Sequence, residues 1–298
     1  MKKLIVISGP TGIGKTDLSI DIALEFGTEI ISSDSRQVYK ELKIGTAVPT
    51  DDQLKRVKHH LIGHISVYDY YNASMFELEV LELLKNLFVD HDKVIMTGGS
   101  GMYINAVCDG IDELPDIDME IRNDLIAMHE KEGIESLRMQ LKMLDPESYK
   151  KIDLKNAKRI LKALEVSLQT GKPYSSFLKG SKKERDFDII KIGLQRDRTE
   201  LYERINLRVD QMVEEGLVEE AQRFYKDRAL NSLNTVGYKE LFEHFDGIIT
   251  QEKAIELIKR NSRHYAKRQI SWFARDKEIV WFNPDNFSEI VDFIKSQK

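Results

Sequence analysis

Short apolar runs set between amphipathic stretches give the first reading of this chain. Residues 4–8, 29–33, 93–97 and 188–194 are each brief, rich in Ile and Val, and little interrupted by polar positions. Runs of this kind suit strands buried on both faces of a parallel sheet. Helical patterns lie between them. In residues 74–89 the apolar Phe76, Val80, Leu83, Leu84 and Leu87 recur at helical spacing. Strands alternating with helices predict an α/β fold: a parallel sheet with helices on both faces. Ligands of such folds collect at the carboxyl ends of the strands. Three polar loops fall there, at residues 9–16, 32–37 and 97–101.

The pattern changes from about Asp112. Pro115, Asp116 and Asp118 mark a break, and helical periodicity then dominates to about Lys179. Within residues 154–169, Ala157, Ile160, Leu161, Leu164 and Leu168 form an apolar stripe that Gly171-Lys172-Pro173 terminates. This predicts a helical insertion at residues 114–180 in a core made of residues 1–113 and 181–298. After the fourth strand the spacing predicts helices at 199–215, 217–227 and 252–274, and a short strand at 278–282. No internal repeat or low-complexity segment is visible.

Composition narrows the class only modestly. The chain has 298 residues, 41% of them hydrophobic and 32% charged, as expected of a globular protein. No apolar run approaches the ~20 residues of a membrane span. Met1-Lys2-Lys3 leads straight into the first apolar run, which has no small-residue cleavage site, so a cytoplasmic location is expected. The single cysteine, Cys108, excludes an internal disulfide and a Cys-rich zinc site. Nothing points to an obligate protein partner. The net charge of −5 argues against nucleic acid, but the mean hides a local stripe. Lys259, Arg260, Arg263, Lys267, Arg268, Arg275 and Lys277 fall in one stretch whose one acidic residue is Asp276. Tyr265, Trp272 and Phe273 are interleaved with them. Such a stripe can meet RNA phosphates and stack on bases, or it can be a solvated face with its aromatic residues in the core.

The first loop carries the most specific signal. Gly9, Pro10, Thr11, Gly12, Ile13, Gly14, Lys15 and Thr16 fill the pattern G-x-x-x-x-G-K-[ST] between a strand and a helix, the context of a phosphate-binding loop. Backbone N–H groups and the helix N-terminus receive a phosphate. Lys15 adds a mobile positive charge, and the Thr16 hydroxyl is placed to ligate Mg²⁺. A di- or triphosphate is therefore expected; which one is left open by the loop alone. The second loop is expected beside the phosphate loop in the predicted sheet, and its Asp34, at a strand end, can be a magnesium ligand, a general base, or a helix N-cap. The Gly-rich third loop is by itself compatible with a plain strand-to-helix turn.

Taken together, several segments resemble the tRNA dimethylallyltransferases, the IPP transferase family. They are the phosphate loop, Asp34-Ser35-Arg36-Gln37-Val38-Tyr39, Ile44-Gly45-Thr46-Ala47, His59-His60-Leu61, Gly98-Gly99-Ser100-Gly101-Met102-Tyr103, Val236-Gly237-Tyr238-Lys239-Glu240 and Tyr265-Ala266-Lys267-Arg268-Gln269. Their order and spacing cover residues 4 to about 275. Two positions depart: Val48 replaces a usual polar or basic residue, and Ser100 replaces a usual threonine while keeping the hydroxyl.

The resemblance implies transfer of a dimethylallyl group from dimethylallyl diphosphate to N6 of adenosine 37 in tRNA, with diphosphate leaving. It makes Asp34 the general base, with Lys15 and Thr16 acting with Mg²⁺ on the leaving group. Arg208 is a further diphosphate candidate against the plainer alternative of a surface arginine. The implied tRNA contacts are Asp34, Ser35, Arg36, Gln37, Ser100 and Arg122, with the segment Asn156, Ala157, Lys158, Arg159 and Ile160. The basic helix adds Arg263, Lys267 and Arg268, and the insertion would clasp the anticodon stem–loop. Competing readings are a phosphate-loop kinase of a small metabolite, a transferase acting on free adenine nucleotides, and a non-catalytic RNA-binding protein.

Overall fold

A computed structural model describes residues 2–112, 114–115, 118–180 and 182–297. Asp116, named above as part of the break, and the terminal or boundary residues Met1, Glu113, Ser181 and Lys298 lie outside the described residues. The chain divides into two compact units, residues 1–109 with 184–298, and residues 110–183.

Among the described residues, the larger unit is built on six parallel strands: β1 (Lys3–Ser8), β2 (Ile30–Ser32), β3 (His59–His60), β4 (Lys93–Gly98), β5 (Asp188–Leu194) and β6 (Val280–Phe282). Their order across the sheet is β3-β2-β4-β1-β5-β6. All six residues of β1 are buried. Successive side chains of a strand point to opposite faces, so both faces of the sheet are covered. In the first half of the chain come α1 (Lys15–Phe26), α2 (Asp51–Arg56), which buries no residue, α3 (Ala73–Asp90) and α4 (Gly101–Asp109). The smaller unit contains α5 (Met119–Glu132), α6 (Ile134–Leu144), α7 (Pro146–Lys151) and α8 (Ala157–Thr170). The larger unit then resumes with α9 (Arg198–Glu214), α10 (Leu217–Arg223), α11 (Tyr238–Phe245), α12 (Gln251–Phe273) and α13 (Phe287–Ser296).

The main core joins Ile5, Ile7 and Ile192 of the sheet to Ile20 and Ile22 of α1, Leu201 and Ile205 of α9, and Ile290 and Ile294 of α13. A second core gathers Val38, Leu42, Leu217, Tyr238, Leu241 and Ile258 around α10, α11 and α12. In the smaller unit, Leu125, Leu137, Leu141, Ile160, Ala163 and Leu164 bury one another. The predicted stripe of α8 is a core stripe except at Leu168, which is exposed, and the helix ends at Gly171 in the left-handed conformation (φ 67°).

Two expectations are corrected here. β3 was not foreseen: its two residues are half-buried and carry no apolar run. And the second polar loop does not lie next to the phosphate loop in the sheet, because β4 runs between β1 and β2.

Candidate active site

The three polar loops open into one cavity of about 1580 Å³ in the larger unit. A single small-molecule site usually occupies roughly 300–1,000 Å³, so the space suits more than one reactant. Thr11, Lys15 and Thr16 line it from the first loop, Asp34 and Gln37 from the second, and Gly99 from the third.

The phosphate loop is held from outside by arginines that sequence reasoning missed. Arg204 Nε of α9 donates to the Gly12 carbonyl at 2.9 Å, and Arg196 Nε donates to the Ile13 carbonyl at 3.2 Å. Arg196 is itself anchored by Glu200 and Asp285. These bonds occupy loop carbonyls. No local sequence signal marks either residue, because both contacts span about 190 positions of chain.

Lys15 Nζ donates to the carbonyls of Gly9 and Pro10 at 2.9 and 2.8 Å. Burial holds its pKa down to about 7, the Arg208 guanidinium adds to the lowering, and the Asp34 carboxylate partly opposes it. Arg208 is therefore not a plain surface arginine: its Nη1 donates to the Thr11 hydroxyl at 3.3 Å, and burial lowers its pKa. An anion with two or more charges would relieve this accumulation of positive groups.

Asp34 does not cap a helix. Its Oδ1 accepts the Arg36 N–H at 2.9 Å, closing a tight turn at the end of β2. The side chain lines the cavity with Tyr265 and Arg268 of α12. Tyr265 interacts with Ser100, which is buried and does not line the cavity, and burial together with the Asp34 charge pushes the Tyr265 phenol up to about 12. Ser100 Oγ accepts the Ser35 N–H at 2.9 Å and donates to Ser35 Oγ at 3.0 Å, tying the second loop to the third.

The third loop needs its glycines for close approach. A Cβ at Gly99 would lie 2.2 Å from Nε2 of Gln269. Gln269, buried on α12, donates to the Gly99 carbonyl at 2.8 Å and accepts the Thr11 N–H at 2.9 Å. It links the third loop to the phosphate loop and is another residue absent from the expected site.

Several expected tRNA contacts are employed otherwise. Arg36 spends its guanidinium on the carbonyls of Asn231, Ser232 and Asn234. Gln37 donates to the carbonyls of Thr46 and Ala47 at 3.2 and 3.0 Å. Arg268 faces the cavity, but Arg263 and Lys267 do not line it. Arg263 donates to Asn206 Oδ1 at 2.5 Å and lies over the Tyr202 ring. Lys267 and Arg268 are neighbours and so point about 100° apart around α12, while Arg275 and Lys277 lie beyond the helix end at Phe273, so the basic residues do not form one face.

In the smaller unit, Ile160 is fully buried and cannot touch a macromolecule. Asn156 caps α8, its side chain accepting the Arg159 N–H at 3.2 Å, and Ala157 packs on the core. Lys158 and Arg159 are exposed. Arg122 pairs with Glu165 at 3.4 Å and keeps part of its surface free.

Among the described residues there is no cluster of three or more His, Cys, Asp or Glu able to hold a metal. The candidate donors from the first two loops are the Thr16 hydroxyl and the Asp34 carboxylate, and the wider lining also carries Asp17, Asp51, Asp210, Glu214, Glu215 and Glu240. The first pair does not make an all-protein cage. It fits Mg²⁺, which usually keeps waters and takes substrate phosphate oxygens with one or two protein groups. Also among the described residues, no helix is long and apolar enough to cross a membrane.

Comparison with known proteins shows the family of the chain. A family model described as IPP transferase matches residues 37–276. The chain is 55% identical to a tRNA dimethylallyltransferase 1 from Bacteroides fragilis, over 99% of this chain and 98% of the relative. It is 52% identical to a tRNA dimethylallyltransferase from Christiangramia forsetii, over 99% and 98%. Among solved structures, a tRNA isopentenylpyrophosphate transferase from Bacillus halodurans is 36% identical with a TM-score of 0.73, covering 99% of this chain and 96% of that one. A eukaryotic dimethylallyltransferase described as acting on tRNA is 25% identical with a TM-score of 0.78, covering 100% and 81%.

Proposed function

The chain belongs to the IPP transferase family, and on that premise we propose that it transfers a dimethylallyl group from dimethylallyl diphosphate to N6 of adenosine 37 in tRNA, releasing diphosphate. One observation carries the reading. A phosphate loop with a charge-starved lysine and a carboxylate with an open oxygen face the same cavity, beside an aromatic and cationic wall. A tRNA substrate puts the reaction in the cytoplasm.

Each part of the cavity has a task. The amides of the phosphate loop, Lys15 and Arg208 receive the diphosphate and stabilise the charge that grows on it as the C1–O bond breaks. Thr16 would hold Mg²⁺, which when bound would supply further neutralisation of that charge. The acceptor adenine leaves its stack to reach the cavity. Its N6 forms the new C–N bond to C1, and Asp34 takes the N6 proton. One bond forms, one breaks, and the proton ends on a carboxylate that Arg36 N–H holds in place. Tyr265 and Arg268 offer the base a stacking and cationic wall. The exposed Lys158, Arg159 and Arg122 of the smaller unit serve as phosphate contacts.

The test uses the full chain with Mg²⁺, dimethylallyl diphosphate and unmodified tRNA, followed by nucleoside mass analysis. The expected product is adenosine heavier by one dimethylallyl group. Asp34→Ala is expected to lose about 10²–10⁴ in turnover while tRNA retention on filters changes by less than about threefold. Consumption of ATP, or prenylation of free AMP with none of tRNA, would refute the assignment.

A further inference from the structure

Two motifs of the family pattern, Ile44-Gly45-Thr46-Ala47 and Val236-Gly237-Tyr238-Lys239-Glu240, take no part in the chemistry above. They meet at a buried carboxylate. Glu220 of α10 is 5% exposed and accepts four hydrogen bonds. Its Oε2 takes the N–H groups of Lys43 and Ile44, both at 2.9 Å, and its Oε1 takes the Gly45 N–H at 2.9 Å and the Tyr238 hydroxyl at 2.6 Å. Tyr238 is fully buried, and its ring fills the space beside Gly45: a Cβ there would lie 2.7 Å from the ring. All four donors are neutral. A buried carboxylate is tolerated on such partners only when its lone pairs are well used, so the arrangement fixes the backbone of residues 43–45.

Beyond Gly45 the same loop is held a second time. Gln37 Nε2 donates to the Thr46 and Ala47 carbonyls, and its Oε1 accepts the Ser32 hydroxyl at 3.0 Å. Ala47 sits at φ 46°, a left-handed conformation uncommon outside glycine. Thr46, Ala47 and Val48 line the cavity, as Asp34 and Gln37 do, whereas Glu220 and Tyr238 do not.

We propose that Glu220 is a positioning residue for the transfer: through the amides of residues 43–45 it sets the wall at residues 46–48 against the Asp34 loop, and so fixes the acceptor base relative to the prenyl carbon. This rests on reading the cavity as a prenyl-transfer site. Glu220 touches no reacting atom and acts only through the loop. Tyr238 completes the clamp by holding the carboxylate and filling the space beside Gly45.

The experiment compares the full-length wild type, Glu220→Gln, Tyr238→Phe and the double variant at a temperature where circular dichroism shows each to be folded. Glu220→Gln keeps the shape but turns an NH₂ group toward amide donors. Its kcat is expected to fall by about tenfold or more, with KM for dimethylallyl diphosphate and affinity for inorganic diphosphate within about twofold of wild type. Tyr238→Phe should lower kcat by about threefold, and the double variant should be no worse than Glu220→Gln, because both act through one carboxylate. Hydrogen exchange at the amides of residues 43–48 should quicken in each variant. Wild-type kcat in the variants, or kcat falling only in step with diphosphate affinity, overturns the proposal. If Glu220→Gln does not fold, Tyr238→Phe decides by the same criteria. Failure of the functional reading is distinguishable, since it appears in the wild type as no transfer to tRNA.

Discussion

Raising the pH is a direct perturbation of the phosphate loop, because Lys15 is poised near neutrality. Its pKa of about 7 against an ordinary 10.5 corresponds to at most about 5 kcal/mol against charging it in the ligand-free chain. A bound diphosphate supplies the missing counter-charge and restores the proton. At pH 8 the free lysine is roughly one-tenth protonated and the occupied one close to fully protonated, so binding takes up about 0.9 proton at this residue. Diphosphate affinity should then fall by up to about tenfold per pH unit above 7. Titration calorimetry with inorganic diphosphate at pH 8, in buffers of low and high ionisation enthalpy, reads the proton number. Lys15→Arg is the reference, since a guanidinium stays charged and the ligand's own protonation cancels in the difference. Equal proton numbers for wild type and Lys15→Arg would refute the reasoning. The same shift has a stability sign. The folded pKa lies below the unfolded one, so the unfolded chain binds more protons between about 7 and 10.5. The contribution of Lys15 to stability therefore grows with pH across that window and is absent below it.

Gln269→Glu sets a carboxylate oxygen where an amide now donates to the Gly99 carbonyl at 2.8 Å. It should cost about 1–3 kcal/mol in chemical denaturation and weaken diphosphate binding; unchanged values for both would show that the link is dispensable. In the smaller unit, Ile160→Ala should destabilise by about 2–5 kcal/mol, while Arg159→Ala leaves the denaturation midpoint in place and reduces the salt slope of tRNA binding by about 1. The reverse pattern in those two variants would assign the contact to Ile160 and refute the core placement.

The sequence carried the strands that are apolar throughout and the loop whose residue types are fixed by phosphate geometry. It could not carry β3, whose His59 and His60 form an edge pair with no apolar period. Nor could it separate residues that point into the cavity from their neighbours on the same helix. Arg268 lines the cavity and Lys267 does not, and only the packing of α12 against the loops decides which is which. Arg36 matched the family pattern and still spends its side chain on carbonyls about 195 positions away. Ile160 belonged both to the family segment and to an apolar stripe; burial decided for the stripe. Arg196, Arg204 and Glu220 escaped the reading, and Gln269 was matched to the family pattern without a role, for one reason. Each acts on backbone groups of a distant segment, and backbone acceptors and donors leave no mark in residue identity.

The link from Gln269 to Thr11 spans 258 positions, and this has a consequence for synthesis. The residues that cradle the phosphate leave the ribosome well ahead of their organising partner. At about 5–20 residues per second, the interval is roughly 13–50 seconds. During that time the nascent chain carries every phosphate-loop residue but lacks the latch that arranges them. A message cut short before codon 269 is therefore expected to yield a product with the complete phosphate-loop motif but without this latch, and so with a weaker hold on diphosphate than the finished chain.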